Sequence, residues 1–270
     1  MIRTISLKSG PTGATAPLIF TPGSVTLFVG PNHSGKSKVL QEIRESIPSR
    51  EGTRFCEVLH SLEFNPVDDA LKQGYVKSLQ RECREFDLRG VPHIEVKHSG
   101  QYSKQEFERQ CAESSSVEKL RNQFHPLGHN FLNRLLLLLN GNERLNLLNA
   151  TQRENLREEM ASVLGRLFQN DTKRKEVQRI VRDAFGWHLV TDVTGKQEFR
   201  AAVAEVEPPP DFERSLTDEA LNFFASCRDI ATMSDGVRAF AGMIAAVVAS
   251  DARLILIDEP EAFLHPALCT

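Results

Sequence analysis

The feature that most narrows what this chain can become is Gly30-Pro31-Asn32-His33-Ser34-Gly35-Lys36-Ser37, a match to the phosphate-binding pattern G-x-x-x-x-G-K-[ST]. Its context is as informative as the string. Val25 to Val29 before it is β-branched and apolar and predicts a buried strand. After it, Val39, Leu40 and Ile43 fall at helical spacing until Pro48 stops the pattern. A strand, a tight loop and a helix are the setting in which successive backbone amides and a helix dipole converge on an anion. Gly30 and Gly35 let the backbone curl, Lys36 is placed to reach the β- and γ-phosphates, and the Ser37 hydroxyl is placed to ligate Mg²⁺.

A second segment supplies the complementary chemistry. Leu254-Ile255-Leu256-Ile257 is an apolar run that ends in Asp258-Glu259, which predicts a central parallel strand with two acids at its carboxyl end. Asp258 suits a Mg²⁺-holding role, and Glu259, pointing elsewhere, suits orienting or deprotonating an attacking water. A third segment, Met233-Ser234-Asp235-Gly236-Val237-Arg238, opens an apolar helix to about Ser250 with Ser234 as its N-cap. On its residues alone that is a well-capped helix and no more.

Along the rest of the chain, Ile2–Leu7 and Leu18–Phe20 predict strands that pair antiparallel ahead of the α/β core. Residues 55–64 read as a strand. A short helix is expected from Pro66 to Gln73 with Asn65 as its cap, and a further helix over 75–86. Val91–Val96 reads as a strand, and Ser114-Ser115-Ser116 as a break in a polar stretch. The leucine run ending at Leu139 and the one after Asn140-Gly141 predict a hairpin, with a helical reading in competition because Leu is not a preferred strand residue. Residues 151–185 read as helices broken near Asn170-Asp171 and closed by Gly186. A hairpin over 187–193 and 198–203 follows. Pro208-Pro209-Pro210 is a stiff spacer. The implied organisation is residues 1–60 as one half of a nucleotide-binding core, 61–207 as a mixed helical and hairpin insertion, and 208–270 as the other half.

Charge and apolar content rule out less extreme classes than the motifs do. The net charge of −3 lends no support to nucleic acid or an anionic membrane as partner, so DNA stays an open but unsupported ligand. The basic run Lys173, Arg174, Lys175, Arg179 and Arg182 is interleaved with acids and reads as a solvated helix face. The longest apolar stretch, Ala239 to Ala249, is too short to span a bilayer. Five scattered cysteines form no C-x-x-C pair, so reduced thiols and a cytoplasmic setting are expected.

The segments GPNHSGKS, SDGVRAF and LILIDEPEAFLHP together resemble the Walker A, signature and Walker B motifs of ABC-type ATPases. More narrowly, the chain resembles the OLD-like and related bacterial AAA-annotated ATPases, whose Walker B acids continue as D-E-P-E-x-x-L-H-P. The resemblance implies an α/β P-loop NTPase core like an ABC-ATPase head, with ATP and Mg²⁺ as cofactors. It implies that Lys36 and its loop bind the triphosphate, that Ser37 and Asp258 organise the metal, and that Glu259 is the catalytic carboxylate. Ser234, Asp235 and Gly236 would meet a nucleotide held by a second protomer, giving an ATP-dependent homodimer that gates an effector such as a nuclease of phage defence or DNA repair. The signature departs from the Leu-Ser-Gly-Gly-Gln form. The Q-loop glutamine is open between Gln73 and Gln123, and Phe20 is the only candidate to stack on a base. The family pattern continues with a helix, a strand and a switch histidine, for which the eleven residues after Glu259 leave no room; a missing C-terminal part is therefore expected, and His265 belongs to the L-H-P string. A non-hydrolysing nucleotide-binding scaffold and a small-molecule kinase are the competing readings.

Overall fold

The computed structural model describes residues 1–8, 16–70, 73, 83–96, 100–113, 117, 119, 131–153, 160–195 and 197–263. They fall into two compact units, Met1–Leu138 and Leu139–Thr270.

In the first unit, Ile2–Leu7 (β1) is the middle strand of an antiparallel sheet, with Leu18–Phe20 (β2) on one side. The predicted antiparallel start is therefore present. Lys36–Ser46 (α1) follows the loop, and its Val39, Leu40 and Ile43 are buried where it packs on Leu59–Phe64 (β3), the strand on the other side of β1. The strand expected from residue 55 thus begins four residues late, after a turn over 50–55. Cys83–Leu88 (β4), Val91–Val96 (β5) and Gly100–Ser103 (β6) form a second antiparallel sheet, on which Lys104–Glu113 (α2) rests.

Three expectations for this unit are corrected. Val25–Val29 is neither a strand nor buried: Val25, Leu27 and Val29 are 77%, 77% and 92% exposed. A strand is a hydrogen-bonded ladder, and no strand among the described residues pairs with this run: the sheet consists of β2, β1 and β3. Of the helix expected over 75–86, residues 75–82 lie outside the described residues, and 83–86 belong to β4, whose ladder with β5 across Arg89-Gly90 outweighs local helix propensity. Asn65-Pro66 does not cap the short helix expected to Gln73: among the described residues helix appears only at 69, 70 and 73, and the Asn65 amide donates to the Met1 carbonyl (3.0 Å), which extends the chain beside β1.

Leu136–Leu139 (β7) leads into the second unit and Gly141–Arg144 (α3) follows at once, so the Asn140-Gly141 hairpin does not form. The strand arm exists, but its partner is Leu254–Ile257 (β12), far along the chain. Thr151–Gln152 (β8) is a strand where a helix was expected. Val163–Gln169 (α4) and Asp171–Phe185 (α5) break at Asn170 as predicted. Asn170 caps α5 by accepting from the Lys173 amide, and Gly186 closes it at φ 74°, a left-handed turn that glycine adopts at least cost. His188–Asp192 (β9) and Glu198–Ala204 (β10) are the predicted hairpin, paired antiparallel. β8 and Arg228–Asp229 (β11) pair with β10 as well, and Asp218–Ser226 (α6) precedes β11. Asp235–Ala249 (α7) then leads to β12.

The core of this unit lies between the helices and the hairpin. Leu164, Leu167, Val177 and Val181 of α4 and α5 meet Leu189, Phe199, Ala201 and Val203 of the sheet. Ala241, Ala245 and Ala249, spaced i, i+4, i+8, bring α7 into the same cluster. The basic run is absorbed as ion pairs: buried Arg174 lies 3.0 Å from Glu213, and Arg179 bridges Glu176 and Asp183. Lys173 donates to the Ala249 and Ser250 carbonyls, a cation at the negative end of α7.

Candidate functional site

Within the first unit the phosphate-binding loop has the backbone its sequence calls for. Gly35 sits at φ 89°, and His33, two residues before it, is also left-handed at φ 63°. A Cβ on Gly30 would fall 2.8 Å from Ser34 Oγ, so a larger residue there would push the Ser34 hydroxyl aside. The Ser34 amide donates to the Pro31 carbonyl (3.3 Å), tightening the curl. Lys36 Nζ folds back over the loop and donates to the Gly30 (2.8 Å) and Pro31 (2.9 Å) carbonyls. Residues 30–34 are exposed, so this cradle faces solvent.

That arrangement fits a triphosphate. The ammonium rests in the mouth of the loop on two neutral carbonyls, and phosphate oxygens are stronger acceptors for it. Ser37 follows as the second residue of α1. Behind the loop, the buried Glu42 carboxylate accepts from the amides of Glu57 (2.6 Å), Val58 (3.1 Å) and Leu59 (2.8 Å), fastening α1 to the start of β3. Phe20 makes an edge contact with Phe28, ring centroids 6.0 Å apart. Gln73 is exposed; Gln123 and His265 lie outside the described residues.

The second unit carries the acids and the signature-like helix. Asp258 and Glu259 stand just beyond β12, as expected, and the Asp258 amide donates to the Leu139 carbonyl (3.0 Å). β12 is not a central strand among the described residues: β7 alone pairs with it, and Ile255 remains 38% exposed. Glu259 itself is exposed and adopts φ 48°, and Phe263 adopts φ 68°, both unusual for non-glycine residues. Ser234 flanks the start of α7 with the extended backbone of an N-cap (φ −60°, ψ 152°), without a side-chain cap bond. Gly236, in the first turn, lies so near the Phe263 carbonyl that a Cβ there would be 2.9 Å away. The signature-like turn and the turn after Asp258-Glu259 are thus in direct contact.

Sequence reasoning missed what ties this corner together. Arg144, fully buried, donates from Nη2 to the Asp258 (3.2 Å) and Glu259 (2.6 Å) carbonyls and from Nη1 to the Pro260 carbonyl (3.1 Å). Burial in this apolar corner lowers the guanidinium pKa, while Glu261, Asp258 and Glu259 nearby oppose that shift. The available signal was a cation inside the leucine-rich run around Asn140-Gly141, since a buried Arg needs acceptors from elsewhere. Similarly, Glu42 on the apolar face of α1 was the signal for a buried carboxylate.

A glycine loop shaped for phosphates at a helix start, and paired acids at the end of an apolar strand, define a nucleotide-binding α/β protein of the P-loop class. Residues 102–269, more than half of the chain, match the family described as AAA domain, putative AbiEii toxin, Type IV TA system, and the chain belongs to that family. It is accordingly a P-loop NTPase of AAA type, and such domains generally bind and hydrolyse ATP, usually with Mg²⁺. The matched span begins after the Gly30–Ser37 loop, whose assignment stands on its own residues. No curated protein and no solved structure matches the chain. Among the described residues no helix is long and apolar enough to cross a membrane, and Cys56 and Cys227 are free thiols.

Proposed function

We propose that the chain is an ABC-like, OLD-like ATPase module that closes into a dimer around ATP and so gates an effector. The observation that carries this reading is the contact of Gly236 with the Phe263 carbonyl, which joins the signature-like turn to the acidic turn in one unit. In this reading Lys36 and the amides of residues 30–37 bind the triphosphate. Ser37 and Asp258, both hard oxygen donors, hold Mg²⁺, which supplies charge neutralisation at the phosphates. Glu259, exposed to solvent, takes the proton of the attacking water. Ser234, Asp235 and Gly236 offer the start of α7 to the nucleotide of a second protomer. ATP then favours the closed dimer because only that state contacts it from both sides. The effector is a nuclease of phage defence or DNA repair by analogy with the OLD-like group, and the family description itself names a toxin–antitoxin setting.

The test is phosphate release together with size-exclusion runs in the presence of Mg²⁺ and ATP. Lys36→Ala should lose nucleotide binding. Glu259→Gln should bind ATP, stop hydrolysing it, and accumulate as a dimer. Hydrolysis by Glu259→Gln at the wild-type rate removes Glu259 from the role given to it. A wild-type chain that stays monomeric with ATP refutes the dimer.

A further inference from the structure

We infer that Arg144 is a positioning residue for the acidic turn: by gripping three successive carbonyls it sets where the Asp258 and Glu259 carboxylates are presented. This rests on the proposal that Glu259 acts in ATP hydrolysis, and it adds a residue that neither the motifs nor the family description assigns.

The geometry is specific. The acceptors come from three consecutive residues, Asp258, Glu259 and Pro260, and they converge on a guanidinium with no solvent exposure. Its neighbours include a sulfur, Met243 Sδ at 3.9 Å from Nη1, but no carboxylate accepts a hydrogen bond from it among the described residues. A buried cation held by carbonyls, with its Nε left without a hydrogen-bond partner among the described residues, is a costly way to fill space; an apolar side chain of equal volume serves stability as well or better. What an apolar side chain cannot do is make three carbonyls of one turn point the same way. The backbone there needs such a constraint. Glu259 at φ 48° and Phe263 at φ 68° are strained conformations that persist only where their surroundings over-determine them.

Arg144 is itself anchored to α7. A Cβ on Gly242 would come 2.4 Å from the Arg144 carbonyl, so the helix backbone runs directly against it. Arg238, one turn earlier in α7, donates to the Leu145 carbonyl (2.9 Å). The signature-like helix therefore fixes the Arg144 backbone, and the guanidinium fixes the acidic turn. The carboxylates are presented by a piece that includes α7, with the fork as its joint.

The test uses the full chain with Mg²⁺ and ATP, with phosphate release giving kcat and KM and a fluorescent ATP analogue giving Kd. Arg144→Lys keeps the charge but replaces a planar fork with a point donor. It should lower kcat about 10- to 100-fold, the usual cost of loosening a supporting contact. Kd should change by less than about threefold, since the phosphate-binding loop is untouched. Arg144→Ala should lose more and regain part of its kcat when low concentrations of guanidinium are added, a recovery that a general packing defect does not show. Arg144→Lys at wild-type kcat, with Glu259→Gln inert, overturns the positioning role and leaves the ATPase reading standing. An inert wild type, or an active Glu259→Gln, overturns the reading beneath it. Should Arg144→Lys fail to fold, Gly242→Ala decides: it displaces the Arg144 carbonyl with the guanidinium present, and an unchanged kcat overturns the proposal.

Discussion

Replacing Glu42 by Gln removes a charge from the inside of the first unit and should loosen the helix that carries the phosphate-binding loop. Glu42 is 3% exposed, and its two carboxylate oxygens accept from three consecutive amides, those of Glu57, Val58 and Leu59. Glutamine keeps one oxygen and turns an NH₂ towards the remaining amide or amides. One side of the cluster then becomes donor against donor, and the lost bonds were charge-assisted. Hydrogen bonds to charged groups are worth about 1.5–3 kcal/mol, and a buried amide left without a partner costs about 1–3 kcal/mol. Glu57 is exposed, so water replaces part of what its amide loses. The expected destabilisation is about 2–4 kcal/mol. Far-UV circular dichroism in a urea series is the assay, because the one tryptophan, Trp187, belongs to the second unit and reports on that unit instead. A Glu42→Gln midpoint equal to wild type at equal slope means the cluster does not hold α1 to β3, and the reasoning fails.

Two further outcomes follow from the second unit. Buried Asp192 accepts from Arg200 Nε (3.0 Å) and Nη2 (2.6 Å) and from the Thr194 amide and hydroxyl; Asp192→Ala should destabilise by about 2 kcal/mol, since Arg200 is partly exposed and keeps some hydration, as a urea midpoint would show. The Asp171 carboxyl is held below its usual range by the hydrogen bond from Arg214 and by the charge of Arg174. A depressed carboxyl stabilises above its unfolded pKa and loses that contribution as pH falls through its folded one. Asp171→Asn should therefore flatten the acid end of the stability–pH curve, with little change near neutrality beyond the lost pair. An acid limb identical to wild type contradicts that assignment.

The parts of this protein that could be read from its residues are those whose causes act within a few positions. The left-handed turn at Gly35, the helix from Lys36, the cap at Asn170, the stop at Gly186 and the hairpin of β9 and β10 each depend on nearby residues and appear where expected. The phosphate-binding string and the Asp-Glu pair likewise carried the nucleotide class by composition and spacing alone. Strand identity was less transparent, because apolar alternation proposes a strand and only a neighbour completes it. Val25–Val29 has the residues for a ladder but no partner among those described. Leu136–Leu139 found its partner in β12 instead of across the adjacent Asn-Gly. The same holds for the buried charges. Arg144 reaches the Asp258 carbonyl from 114 positions away, and Glu42 takes amides from 15 to 17 positions on, separations that no local pattern encodes. Local stereochemistry determined the loop and its helix; desolvation of buried polar groups, which must find acceptors or donors wherever the folded chain brings them, decided how the acidic turn is held.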